Sequence, residues 1–308
     1  MKGIIYIILG ASCYGVLSTF VKLAYNAGFI VNDVVGMQMF LGALLLWGGV
    51  LFNSIRKRKN PNKYLKPNKK EFLLLTIVGS TTGLTGMFYY VALQYISASL
   101  AVVLLFQFTW IGVLLEAIIN RKIPDKGKLL SLIPLIIGTL VATNIFSTGL
   151  SSVHWLGFVF GLLAALSYSV FVLLNGKVAL QVNPVTKSAL MISGGFTICA
   201  LILPPTFFSN GNLFIELAMK YGFVLAFLGP FFSTLMFSKG VPLTGPGLAS
   251  ILGAMELPSA VIMSTLILKE HIGAPQYIGI LLILVGISLP TLLKRGNRLK
   301  DASRRYGS

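Results

Sequence analysis

Acidic side chains are scarce in this chain: eight Asp and Glu stand among 308 residues, against 25 Lys and Arg. Charge of either sign amounts to 11% of the sequence, less than half of what a soluble domain carries. Two cysteines and two histidines complete the list of rare reactive groups. Cys13 and Cys199 lie inside apolar runs with no CxxC spacing and no nearby His, which argues against a disulfide framework or a metal site and for two buried helix thiols. His154 and His271 stand at the edges of apolar runs and read as solvated loop histidines. Motifs of the GxSxG, HExxH and GxxxxGK[ST] kinds are missing, so the sequence offers no hydrolase, zinc-protease or ATP-pump signature, and no cofactor is implied.

What is abundant is apolar sequence. Hydrophobic residues make up 56% of the chain, and the mean hydropathy is +0.86. Between these runs no polar stretch exceeds about 20 residues, too short for a soluble core. An all-α, multi-pass membrane protein is predicted, in the cell membrane. The N-terminal "MKGIIYIILGASC" has the outline of a secretory or lipoprotein signal. However, Gly10 occupies the position three before Cys13, and the apolar run continues to Val21, which favours an uncleaved first helix.

Runs of about 20 apolar residues predict ten spans, near 3–25, 34–53, 71–93, 97–119, 128–146, 154–176, 186–208, 217–238, 243–268 and 274–293. Lys and Arg crowd alternate loops: Arg56 to Lys70 after the second span, Arg121 to Lys128 after the fourth, and Lys294 to Arg305 in the tail. Short basic loops stay in the cytoplasm, so both termini are predicted there. The net charge of +17 is thus read as topology and as contact with anionic headgroups, without a nucleic-acid partner.

A repeat underlies the ten spans. A shift of about 148 residues pairs Leu100 with Leu248, Ala101 with Ala249, Leu104 with Leu252, Arg121 with Lys269 and Gly138 with Gly286. A shift of about 154 pairs Gly3 with Gly157, Leu9 with Leu163, Ala11 with Ala165, Tyr14 with Tyr168 and Val16 with Val170. Both divide the chain into five-span halves, residues 1–149 and 150–308. Because five is odd, the second half must enter the membrane from the opposite side, giving an inverted repeat of the kind secondary transporters use.

The stretches that carry this pattern resemble a known family. The opening "GASCYGVLSTFVKLA", ending in Lys22, and the closing "GLASILGAMELPSAVIMSTLILKEHIGAPQYIGILLILVGISL", with Pro258, Glu270, Gly279 and Gly286, are similar to the EamA-like members of the drug/metabolite transporter superfamily. The resemblance spans nearly the whole chain. The first half departs from it, with Trp110 in place of the proline and Lys122 opposite Glu270. The resemblance implies transport of a small metabolite, an amino acid or related amine-bearing compound, by alternating access, with export the expected direction. A channel or a solute-sensing membrane protein is the alternative.

Glu256 leads the candidate substrate-binding residues. It is the only charged residue between Leu243 and Leu268, and an acid at the centre of a spanning helix is unfavourable by roughly 2.5–3.5 kcal/mol. It is read as a structural acid between helices or as a site for a substrate amine or a proton. The 148-residue shift brings Gln107 opposite Met255 and Phe108 opposite Glu256, which adds Gln107 as a second polar group at the same depth. Tyr14 and Tyr168 lie away from the interfacial belts where membrane tyrosines gather. Tyr89 and Tyr90, Ser233 and Asn175 are further candidates of this kind, and Lys22 is read as an anchor or a family site. Glu116 reads as an interfacial acid near Arg121. Pro230, Pro242, Pro246 and Pro258, with their neighbouring glycines, mark kinks or hinges in the eighth and ninth spans.

Overall fold

The computed structural model describes residues 1–56, 65–96, 101, 104–142, 154–268 and 273–306. Among these the chain is helical apart from short turns and one isolated bridge between Leu65 and Val182. The helices are α1 (Lys2–Asn26), α2 (Val31–Arg56), α3 (Lys69–Tyr95), α4 (Phe108–Asn120), α5 (Lys126–Ala142), α6 (Trp155–Asn175) and α7 (Pro184–Ile202). A 3₁₀ turn, Thr206–Phe208, leads into α8 (Gly211–Thr244), and α9 (Pro246–Gly253), α10 (Glu256–Leu268) and α11 (Ala274–Tyr306) follow.

Among the described residues, seven stretches are long and apolar enough to cross a membrane: α1, α2, α3, α6, α7, α8, and α9 with α10 taken together. Shorter apolar helices run over Leu104–Asn120 and Tyr277–Pro290. The predicted ninth span is not one uniform rod. Gly245, at φ +82, separates α9 from α8, and i→i−3 bonds from Ala254 and Met255 tighten the backbone before Glu256 starts α10. Glu256 therefore occupies the first turn of a helix. The same tightening occurs before α4, where Gln107 N–H bonds to Leu104 O and Phe108 begins the helix. These two breaks fall at positions related by the 148-residue shift.

α8 is also irregular. Ala218–Gly222 and Phe227–Ser233 are π-helical, the second around Pro230, whose missing N–H relaxes the i→i−4 ladder. This helix reaches past both ends of the predicted 217–238 span.

Polar contacts gather at the two ends of the bundle. At the end carrying Met1, Lys177 Nζ donates to Asn120 Oδ1 at 2.7 Å, Gln181 Nε2 to Glu71 Oε1 at 2.8 Å, and Lys128 Nζ to Glu116 Oε2 at 2.5 Å. Glu116 thus pairs with Lys128. The buried Lys187 ammonium donates to the carbonyls of Asn175 (2.5 Å) and Val178 (2.9 Å), satisfying groups left open where α6 ends. At the opposite end, buried Asp33 accepts from the N–H groups of Thr206 (2.6 Å) and Phe207 (3.1 Å) and from the Thr206 hydroxyl (2.7 Å). His154 stacks on Tyr95 there, with centroids 4.9 Å apart.

In lipid, helices gain little by hiding apolar surface from one another, so close contact must hold them together. α3 and α7 achieve it with glycine on both sides. A methyl on Gly79 would strike the Met191 carbonyl, and one on Gly194 the Thr76 carbonyl. α1 packs against α8 and α10, α6 against α3 and α4, α2 against α7, α4 against α9, and α5 against α11.

Gly79→Ala should lower the melting temperature sharply, because backbone opposes backbone and overpacking costs about 1–3 kcal/mol or more. Gly86→Ala, with nothing within 4 Å of the added methyl, should hold or raise it. Thermal unfolding of the two variants in detergent checks the contrast; equal losses would contradict the glycine seam.

Candidate functional site

α1, α3, α6 and α10 converge where the helix before Glu256 tightens. α1 comes closest, since Gly15 lies directly on the Glu256 carbonyl, with Ser259 and Ala260 beside it. Any side chain at residue 15 would push α1 away from this turn. Its neighbour Tyr14 meets Tyr168 of α6 edge-on at 6.3 Å. Tyr14, Tyr89 of α3 and Tyr168 all lie within electrostatic range of the Glu256 carboxyl.

Phenylalanines back this group. Tyr168 packs edge-to-face on Phe108 at 4.6 Å and contacts Phe171 and Phe237 at 6.2 and 6.3 Å. Phe108, Phe171 and Phe237 are fully buried, so the wall behind Tyr168 is dry and tightly packed. In front of it, Tyr14, Tyr89 and Glu256 keep part of their surface accessible although all three lie deep in the bundle.

Among the described residues, the Glu256 carboxylate accepts no hydrogen bond and forms no ion pair. The Tyr168 hydroxyl is buried without a partner there, and the Thr234 hydroxyl lies beside the Tyr14 hydroxyl. Buried polar atoms are normally satisfied, and in a bilayer interior no bulk water does it. A carboxylate with open tyrosine hydroxyls and aromatic faces around it can receive an ammonium, through charge, hydrogen bonds and cation–π attraction together.

The structure thus brings together Tyr14, Tyr89, Tyr168 and Glu256 from the sequence candidates. Ser233 lies next to Thr234, but its hydroxyl donates to the Gly10 carbonyl at 2.8 Å and ties α8 to α1. Gln107 adjoins Phe108, and its Oε1 accepts from Trp110 Nε1 at 2.6 Å, which gives the unexpected tryptophan a structural task. Asn175 ends α6, two turns beyond Tyr168, and stands apart from the cluster. Lys22 is exposed near the end of α1 and does not join it. Glu270 and His271 lie outside the described residues.

Phe108, Phe171, Phe237 and Thr234 were missed in the sequence. One signal was available: Phe108 is the position that the 148-residue shift sets opposite Glu256. The other three have nothing in their local sequence that separates them from ordinary apolar helix residues.

The model of the EamA-like transporter family matches residues 1–144 and again residues 155–292. The chain belongs to the EamA-like transporter family. A solved structure described only as the crystal structure of a protein is similar in fold, with TM-score 0.71 at 14% identity, over 94% of this chain and 98% of that one. Among curated proteins no match is found. As an EamA-like protein the chain is a membrane transporter of the drug/metabolite type.

Tyr168→Phe should leave thermal stability within about 1 kcal/mol of wild type, since the hydroxyl surrenders no internal bond. Phe108→Ala should cost about 3–5 kcal/mol by emptying the wall behind it. Unfolding curves of the purified variants test both, and a large loss for Tyr168→Phe would reveal a partner for the hydroxyl inside the bundle.

Proposed function

We propose that this EamA-like protein is a secondary carrier of the cell membrane that exports a small amine-bearing metabolite, an amino acid or a related compound, by alternating access. The observation that carries the reading is the Glu256 carboxylate, unpartnered among the described residues, within electrostatic range of Tyr14, Tyr89 and Tyr168. A substrate ammonium and a proton compete for that one carboxylate, which couples solute movement to a proton gradient. Anionic headgroups hold the basic cytoplasmic loops.

Alternating access in this reading rests on ten spans built as two inverted halves, residues 1–149 and 150–308, with both termini in the cytoplasm. Matching contacts support it. Gly3 of α1 packs on Leu243 and Thr244, and its counterpart Gly157 of α6 packs on Tyr95 and Ile96. The first glycine moves by 154 residues and its partners by 148, the same two shifts that relate the halves in sequence. Gly15 sits on the Glu256 carbonyl, and its counterpart Ser169 places its hydroxyl 3.2 Å from the carbonyl of Phe108, the counterpart of Glu256. Tyr14 and Tyr168 meet each other, as equivalent residues beside a two-fold axis would.

Purified protein in liposomes loaded with a mixed amino-acid and amine pool should accumulate labelled amine by counterflow. Glu256→Gln should reduce that uptake roughly tenfold or more, the loss expected when a charge-assisted contact of about 1.5–3 kcal/mol is removed. It should also abolish the response to a pH gradient. Conductive flux without counterflow would identify a channel, and pH-driven flux unchanged in the variant would remove Glu256 from the mechanism.

A further inference from the structure

Tyr89 faces Glu256, but the next residue on α3, Tyr90, points into a different polar group. Its ring meets Tyr25 of α1 edge-on at 5.9 Å, and its hydroxyl lies beside the Tyr25 hydroxyl and the Gln38 amide of α2. Gln38 is 4% exposed and Tyr90 7% exposed. Methionines and aliphatic residues surround them, including Val21, Met37 and Met87. Yet neither Gln38 Oε1 nor Tyr25 OH has a well-formed hydrogen bond among the described residues.

Three polar side chains from three helices therefore converge in an apolar setting, with Gln38 Oε1 and the Tyr25 hydroxyl left open. One such atom is unremarkable, but a convergent set needs an occupant that supplies donors and acceptors. The group is also continuous with the first site: Tyr90 lies in electrostatic range of Tyr14, and Tyr89 and Tyr90 rings are 5.9 Å apart. It sits toward the bundle end where Asp33 holds Thr206. All three side chains are uncharged, which makes the set a poor host for a second ion and a good host for a hydroxyl or an amide.

We propose that Tyr25, Gln38 and Tyr90 form a second, uncharged subsite that takes the neutral polar end of a substrate whose ammonium rests at Glu256. This rests on the reading of Glu256 as the amine site and narrows it, from amine-bearing compounds in general to monocations with a hydroxyl or amide. An amino alcohol or amino-acid amide fits the pair of sites. A zwitterionic amino acid would bring its carboxylate to a subsite with only neutral partners, and a plain alkylamine would leave Gln38 unsatisfied.

Three probes of matched skeleton separate these cases: leucinol, isoamylamine and leucine, with binding to the purified full-length protein followed by calorimetry. Wild type should bind leucinol most tightly, then isoamylamine, then leucine. Gln38→Leu should weaken leucinol about tenfold, the loss of roughly one buried hydrogen bond, and leave isoamylamine within about twofold. Tyr90→Phe should act in the same direction and serves if Gln38→Leu does not yield folded protein.

Glu256→Gln should weaken leucinol and isoamylamine together. If Glu256→Gln behaves so while Gln38→Leu and Tyr90→Phe leave the leucinol preference intact, the subsite is overturned and the amine site stands. If leucine binds best, the subsite assignment is wrong as to ligand class. If Glu256→Gln has no effect, or no amine binds to wild type with a cooperative melt, the amine site itself falls and the subsite falls with it.

Discussion

Close backbone contact between helices is the constraint on which this bundle depends. In water the burial of apolar surface would drive helices together with little demand on fit, but lipid tails are as apolar as leucine, and the driving force vanishes. What remains is contact at short range, which needs side chains to be missing where helices cross. Gly79 and Gly194 clear the α3–α7 crossing, and Gly15 clears the approach of α1 to the turn before Glu256. The position of Tyr14 follows from that last contact, and so does the shape of the space around the carboxylate. Packing and chemistry here share a single residue.

The same contacts explain why polar groups can persist at this depth. A carboxylate in the middle of an uninterrupted helix would face lipid or neighbouring apolar side chains on every rotation. The tightening at Ala254 and Met255 instead gives Glu256 the start of a helix and a wall of aromatic rings. Among the described residues, the buried charges outside this region are each partnered: Lys187 by backbone carbonyls, Asp33 by two amides and the Thr206 hydroxyl. Glu256 differs from both in being left available.

Much of this could be read from the sequence, and the reasons are physical. Apolar runs must match bilayer thickness, so α1, α2, α3 and α6 were predicted to within about three residues, while α8 and α11 run well past their predicted ends; Glu256 stood out because a lone acid in such a run is costly. The family was legible by resemblance alone, through the opening stretch that ends in Lys22 and the closing stretch with Pro258, Gly279 and Gly286. Side-chain partnership was less visible. Tyr89 and Tyr90 are adjacent and chemically identical, and only the helix rotation sends one to Glu256 and the other to Gln38. Asn175 and Lys22 looked as polar as the true cluster members, but their distance along α6 and α1 carries them to the ends of the bundle. The π-helical stretches of α8 left no distinct trace apart from Pro230, because they depend on how the whole helix packs.

The seams at residues 15 and 169 are alike in place but unlike in kind. In one, a hydrogen atom of Gly15 meets a carbonyl; in the other, the Ser169 hydroxyl shares its proton between the Phe108 carbonyl at 3.2 Å and the Ala165 carbonyl at 2.8 Å. A shared hydrogen bond of this kind is worth on the order of 1 kcal/mol at most, whereas the glycine serves by leaving room for the Glu256 carbonyl. Two joints with the same outline thus close by different means, and the one that flanks the carboxylate closes through a missing side chain. A structure can be symmetric to the eye while its two halves differ in chemistry.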